Sequence, residues 1–204
     1  MHGKIASENS IQDSTGPLAG NDIDQALKES LRDRYPIKRI LGKRAGRRTF
    51  LAKDSKTGQP VAIKIMLFGP DATWGALKLF EREAQTLKTL NHPAIPKYLD
   101  FFELETPLVK GFALVQTYIQ AKSLQDLVTS GHRFSEQELK LIAQSLLTTL
   151  HYLHSSNPSV IHRDIKPSNI LLSDVAPNHQ HLNQLRGKGQ NTLCLLYTSD
   201  AADD

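Results

Sequence analysis

The chain has 204 residues, of which 39% are hydrophobic and 23% charged, a globular composition with enough apolar material for one domain or two small lobes. No window approaches the run of about eighteen apolar residues that a membrane span needs, and Cys194 alone excludes an internal disulfide framework, so a cytoplasmic location is the expectation. The net charge of +4 is unevenly spread: residues 32–53 are strongly basic, but without aromatic interleaving this run reads as a solvated strand face or the mouth of a phosphate site, not a nucleic-acid surface.

Residues 1–34 lack the apolar core and cleavage site of a secretory signal and are polar enough to be expected as a disordered leader. From Tyr35 the pattern changes. IKRIL (37–41), TFLAK (49–53) and VAIKIM (61–66) read as strands of an antiparallel meander, with Asp54-Ser55-Lys56-Thr57-Gly58 as the turn before the third. A helix starting near Asp71 or Thr73 follows, with the apolar stripe Leu77, Phe80, Ala84, Leu87, and it ends before Asn91-His92-Pro93. KYLDFF (97–102) and GFALVQTYI (111–119) complete a five-stranded sheet carrying one helix. Beyond residue 120 the chain turns helical. SLQDLV (123–128) is short, and Ser135-Glu136-Gln137-Glu138 is a capping box that opens a long helix with the stripe Leu139, Ile142, Ala143, Leu146, Leu150, Leu153. A sheet lobe followed by a helical lobe is an α+β arrangement with a cleft between the halves. Residues 175–193, rich in Asn, Gln, Gly and Lys, are expected as loop, and the two histidines of Asn178-His179-Gln180-His181 lack a third ligand and read as polar loop too.

The chemistry is concentrated in VIHRDIKPSNILL, residues 160–172. His162-Arg163-Asp164-Ile165-Lys166-Pro167-Ser168-Asn169 matches the pattern H-R-D-x-x-x-x-N. A merely charged surface loop would predict no companions elsewhere, yet two are present. Lys64, in Val61-Ala62-Ile63-Lys64, sits in an apolar strand where an unpaired ammonium would be costly, so a partner is expected. Glu83 lies three residues after Phe80 and four before Leu87, on the core-facing stripe, and can aim its carboxylate at the sheet.

On these residues the chain resembles the eukaryotic-type serine/threonine protein kinases over about residues 35–175, and the string GRRTFLA is similar to bacterial, including cyanobacterial, members. The resemblance implies a two-lobed kinase fold with a sheet lobe over 35–119 and the start of a helical lobe over 120–193. It also implies phosphoryl transfer from ATP, with Mg2+, to serine or threonine of a protein substrate. Asp164 would be the base, Lys166 the cation beside the transferred phosphoryl, Asn169 a metal ligand, and Lys64, paired with Glu83, the holder of the α- and β-phosphates. Gln116 would border the adenine pocket, with Thr117 and Ile119 offering backbone groups to the base.

The sequence departs from the family in two places. Where the family has G-x-G-x-x-G-x-V, Gly42 keeps the first glycine but Arg44, Arg47 and Thr49 replace the rest; Gly46 can supply flexibility one position early, and Arg44, Arg47 or Arg48 could offer guanidinium groups to phosphate oxygens. No D-F-G or A-P-E occurs in the 204 residues. Residues 194–204 can be written, in one reading frame, as a transposon adaptor used in DNA sequencing libraries. They are therefore expected to be a scar, and the kinase domain to be incomplete and inactive as it stands. Two alternatives stay open: a pseudokinase that binds nucleotide or a partner without transfer, favoured by the lost glycines, and a small-molecule phosphotransferase of related fold.

Overall fold

A computed structural model describes residues 20–44, 46–69, 73–173 and 192–195. The first element is a helix, α1 (Gly20–Leu31), in a stretch expected to be disordered. That expectation is corrected for residues 20–34, while 1–19 lie outside the described residues. Ile23, Leu27 and Leu31 recur every four residues and form one apolar stripe. Leu27 is fully buried and Leu31 nearly so, each contributing about 2 kcal/mol by leaving water. Asp22 in the first turn and Lys28 in the last complement the helix dipole.

Five strands follow around one further helix: β1 (Ile37–Arg44), β2 (Arg47–Lys53), β3 (Pro60–Leu67), α2 (Trp74–Thr89), β4 (Tyr98–Glu105) and β5 (Lys110–Thr117). They form one antiparallel sheet in the order β1-β2-β3-β5-β4. Strand alternation gives the sheet two apolar faces. Phe50, Ala52, Val61, Ile63, Ile65 and Val115 turn toward α1 and pack with Leu27, Leu31 and Tyr35. Met66 and Leu114 turn the other way, toward Phe80, Ala84 and Leu87 of α2. The sheet thus carries two helices, one per face, where the sequence pattern predicts one. At Gly111 the strands approach so closely that a Cβ would stand 2.1 Å from the Met66 carbonyl oxygen, so only glycine fits.

Thr73 caps α2, its hydroxyl accepting from the Ala76 N–H, which decides between the two predicted starts. β5 stops at Thr117, two residues before its predicted end. The residue after Thr117 stands beside Pro60, the first residue of β3, which has no N–H to continue the ladder.

The second lobe begins with β6 (Lys122–Ser123), α3 (Leu124–Thr129) and α4 (Glu136–Ser155). Both helices open with capping boxes, Ser123 with Asp126 and Ser135 with Glu138. β7 (Ile170–Ser173) is the centre of a small antiparallel sheet in the order β6-β7-β8, with β8 at Thr192–Leu195. Residues 192 and 193, predicted as loop, are therefore strand: the open edge of β7 accepts the ladder, Leu193 and Leu195 are buried with Leu153 of α4 and the α2 side of the first sheet, and Cys194 between them is buried too. Burial pushes the Cys194 thiol up to about 12. Residues 174–191, including the pair His179 and His181, and residues 196–204 lie outside the described residues. In α4, Ile142, Leu146, Leu150 and Leu153 pack inward, but Leu139 is 52% exposed and Ala143 is exposed too, so the predicted apolar stripe is only partly covered. No described helix is long and apolar enough to cross a membrane.

Candidate active site

Lys64 and Glu83 meet across the interface of β3 and α2, Nζ to Oε1 at 2.5 Å. The pairing follows from local pattern. Lys64 alternates with the buried Ile63 and Ile65 and so shares the α2-facing side with Met66, while Glu83 lies on the buried stripe of α2 between Phe80 and Leu87. The Glu83 side chain is 2% exposed and that of Lys64 17%, so the ammonium keeps a way out toward solvent. The register places Thr49 beside Lys64, Gly42 beside Thr49, and Arg44 opposite Arg47. This side of the sheet is the one that meets the second lobe, since Met66 and Leu114 share a cluster with Leu153 of α4 and Ile170 of β7.

The hairpin between β1 and β2 differs from the sequence expectation. Gly42 has no positive φ, and a Cβ there would make only ordinary contact with Thr49. The left-handed residue is Gly46, with φ +63°. Of the three arginines, Arg48 is removed from the phosphate-binding candidates: it is 7% exposed and its Nε donates to Asp24 of α1 at 2.7 Å, on the sheet face away from Lys64. Its position alternates with Arg47 along β2, and this parity starts the two side chains from opposite faces of the sheet.

At the back of this side, Gln116 of β5 is 3% exposed, and its Oε1 has no hydrogen-bond partner among the described residues. A buried unpaired acceptor is costly, and a ligand donor would relieve it. Thr117 is committed more heavily than the sequence suggests: its N–H donates to the Lys97 carbonyl at 3.0 Å and its hydroxyl accepts from the Lys97 N–H at 2.9 Å. Of its two backbone groups, the carbonyl is therefore the candidate for a base. Ile119 lies beyond the end of β5, and its N–H has no partner among the described residues. Arg39 of β1 donates to the Tyr118 hydroxyl at 3.1 Å and ties this segment to the edge of the sheet.

The octapeptide forms a tight cluster. The Asp164 carboxylate accepts from Lys166 Nζ on Oδ1 at 2.7 Å and from Asn169 Nδ2 on Oδ2 at 2.7 Å. Asn169 Nδ2 also donates to the Asp164 carbonyl at 2.9 Å. With its amide nitrogen so engaged, Asn169 presents Oδ1 as the atom able to ligate a hard cation. The loop reaches this shape through Arg163, which adopts φ 64° at a cost of roughly 1 kcal/mol, and through the buried His162, whose Nδ1 accepts from the Asp164 N–H at 3.3 Å. Pro167 then starts a single 3-10 turn over Pro167–Asn169, closed by the Asn169 N–H on the Lys166 carbonyl, and the chain enters β7. The Asp164 side chain is 13% exposed and that of Lys166 41%, so a buried acid and a reachable cation share one mouth. Among the described residues no three His, Cys, Asp or Glu side chains gather to hold a metal by themselves.

Sequence reasoning located both of these clusters but missed Asp24 and α1. The only signal was the spacing of Ile23, Leu27 and Leu31, which a polar surrounding masks.

The comparisons with known proteins agree with this geometry. The family model for the protein kinase domain matches residues 35–182. Serine/threonine-protein kinase B of Synechocystis sp. is 39% identical over 157 residues, covering 73% of this chain and 26% of the relative. Serine/threonine-protein kinase D of the same organism is 39% identical over 150 residues, covering 70% and 28%. Serine/threonine-protein kinase PknB of Mycobacterium tuberculosis is 34% identical over 144 residues, covering 70% and 22%. The chain spans about a quarter of the length of these curated relatives. With the matched region containing both the lysine–glutamate pair and the Asp164 cluster, the chain belongs to the protein kinase domain family.

Proposed function

We propose that the protein containing these residues transfers the γ-phosphoryl group of ATP to serine or threonine hydroxyls of protein substrates in the cytoplasm. The observation that carries this reading is the convergence of a cation, an amide and a carboxylate in the Asp164, Lys166, Asn169 cluster. Phosphoryl transfer demands little covalent chemistry of a protein; it demands position and charge. Asp164 accepts the proton of the substrate hydroxyl, and the Asn169 bond to Oδ2 fixes the direction from which it does so. Lys166 lies beside the point of attack and offsets negative charge on the phosphoryl oxygens. Lys64, oriented by Glu83, binds the α- and β-phosphates. The orphan acceptor of Gln116 fits a nucleobase donor, with the Thr117 carbonyl and Ile119 N–H as further contacts. Asn169 Oδ1 is the atom with which this chain would hold Mg2+, and the ion would supply positive charge to offset that of the phosphates.

A second reading, nucleotide or partner binding without transfer, is favoured by Arg44 and Arg47 standing where the family has glycine. One pair of assays separates the two. In protein translated from the complete gene, Asp164→Asn is expected to lower phosphate incorporation into a protein substrate by about 1000-fold while ATP affinity stays within about threefold. Nucleotide binding with no transfer by the wild type would select the second reading.

A further inference from the structure

Asp24 is an acid 5% exposed, buried between α1 and the sheet. Its Oδ1 accepts from Arg48 Nε at 2.7 Å and its Oδ2 from Lys43 Nζ at 2.9 Å. Arg48 does more than neutralise it. Its Nη1 donates to the Arg44 carbonyl at 2.8 Å and to the Arg47 carbonyl at 2.9 Å, the carbonyls at the end of β1 and the start of β2 on either side of the turn at Gly46. The same turn is held from the other side by the Leu67 N–H on the Gly46 carbonyl at 2.8 Å. A continuous chain of charge-assisted bonds therefore runs from α1 through Arg48 to the tip of the β1–β2 hairpin. Register gives this chain its meaning. Lys43 pairs with Arg48 and both face α1, whereas Arg44 pairs with Arg47 on the face shared with Thr49 and Lys64.

We infer that α1 is a positioning element for nucleotide binding: through Asp24 and Arg48 it fixes the hairpin tip that closes over the phosphates. This rests on the nucleotide-binding reading above and adds to it a segment, residues 20–31, that precedes the family match at residue 35. A glycine-rich hairpin can shape itself around phosphates because its backbone is loose. This hairpin has lost two of those glycines, and its carbonyls are instead gripped from behind, so its geometry is set before a ligand arrives.

The test uses the protein translated from the complete gene, with Asp24→Asn, Arg48→Lys and, as a control, Asp54→Asn. Arg48→Lys keeps the charge beside Asp24 but cannot span both carbonyls. Asp54 is another buried acid of the same lobe, paired with Arg34 at 2.5 Å beside the β2–β3 turn. Amide hydrogen exchange and ATP affinity are measured on each. Asp24→Asn and Arg48→Lys should speed exchange at residues 42–49 by about tenfold and weaken ATP binding by about fivefold with kcat within about twofold. Asp54→Asn should lower the melting temperature without either change. Unchanged exchange at 42–49 in Asp24→Asn, or equal effects in the control, would overturn the inference. Should the wild type bind no ATP, the nucleotide reading fails by itself. Exchange at 42–49 then still decides whether α1 holds the hairpin.

Discussion

Two buried carboxylates, Glu83 and Asp24, stand against opposite faces of one five-stranded sheet, and each meets a cation rooted in a strand. On the α2 side, Glu83 is paired with Lys64, whose side chain remains 17% exposed. On the α1 side, Asp24 is clamped by Arg48 and Lys43, and the guanidinium facing it is 8% exposed. The first arrangement orients an ammonium with no backbone carbonyl bound to it among the described contacts; in the second, Lys43 is 41% exposed while the Arg48 guanidinium is held by Asp24 and by the Arg44 and Arg47 carbonyls. The same elementary interaction thus orients a side chain on one face and braces backbone on the other, and what separates them is what else the cation binds.

Striking each face separately sharpens this contrast. The largest loss is expected from Leu27→Ala, which empties a fully buried position under α1 and should cost about 3 kcal/mol in urea unfolding. Because it works on the α1 side, it should leave the environment of Lys64 unchanged, as read by the amine's reactivity toward a nucleotide-analogue acylating probe. Glu83→Gln should cost about 2 kcal/mol, less than the roughly 3–5 kcal/mol of a fully broken buried pair because Lys64 keeps some contact with water. It should weaken that probe reaction while exchange protection in α1 persists. A melt in which Glu83→Gln releases α1 as well would break the proposed independence of the two faces.

The smallest effect is expected from acid. Burial tends to raise the Asp24 carboxyl, but hydrogen bonds and charge from Lys43 and Arg48 outweigh it and hold the group below its ordinary value of 3.8. A depressed folded-state value stabilises the fold fully above the unfolded value and ceases to do so as pH falls through the folded one. Stability of the wild type should therefore drop more steeply below pH 3.8 than that of Asp24→Asn, measured as the difference in urea midpoints across that range.

The parts of the molecule that were legible in the sequence are those where function confines several residue types to one short string or one periodic stripe. Asp164, Lys166 and Asn169 lie within six positions, and their convergence needs only a left-handed residue and a proline-started turn. Lys64 was legible because a charge inside an apolar strand demands an explanation, and Glu83 because its place on the helix stripe supplies one. The α1 helix was not, since its three apolar residues are diluted by polar ones and its main anchor, Arg48, is 24 residues away from Asp24. Local composition cannot announce a contact whose partner is set by sheet register. The same limit explains Arg48 itself. Three neighbouring arginines look interchangeable in a string, and only strand parity assigns one to the rear of the sheet.

The placement of α1 bears on where the gene can be cut. A polypeptide trimmed to start at Tyr35, where the family match begins, would lay Phe50, Ile63, Ile65 and Val115 open to water along one whole side of the sheet. Such a product would be sticky and poorly soluble for reasons unrelated to catalysis. Heterologous production of this kinase domain should therefore retain the codons from Gly20 onward.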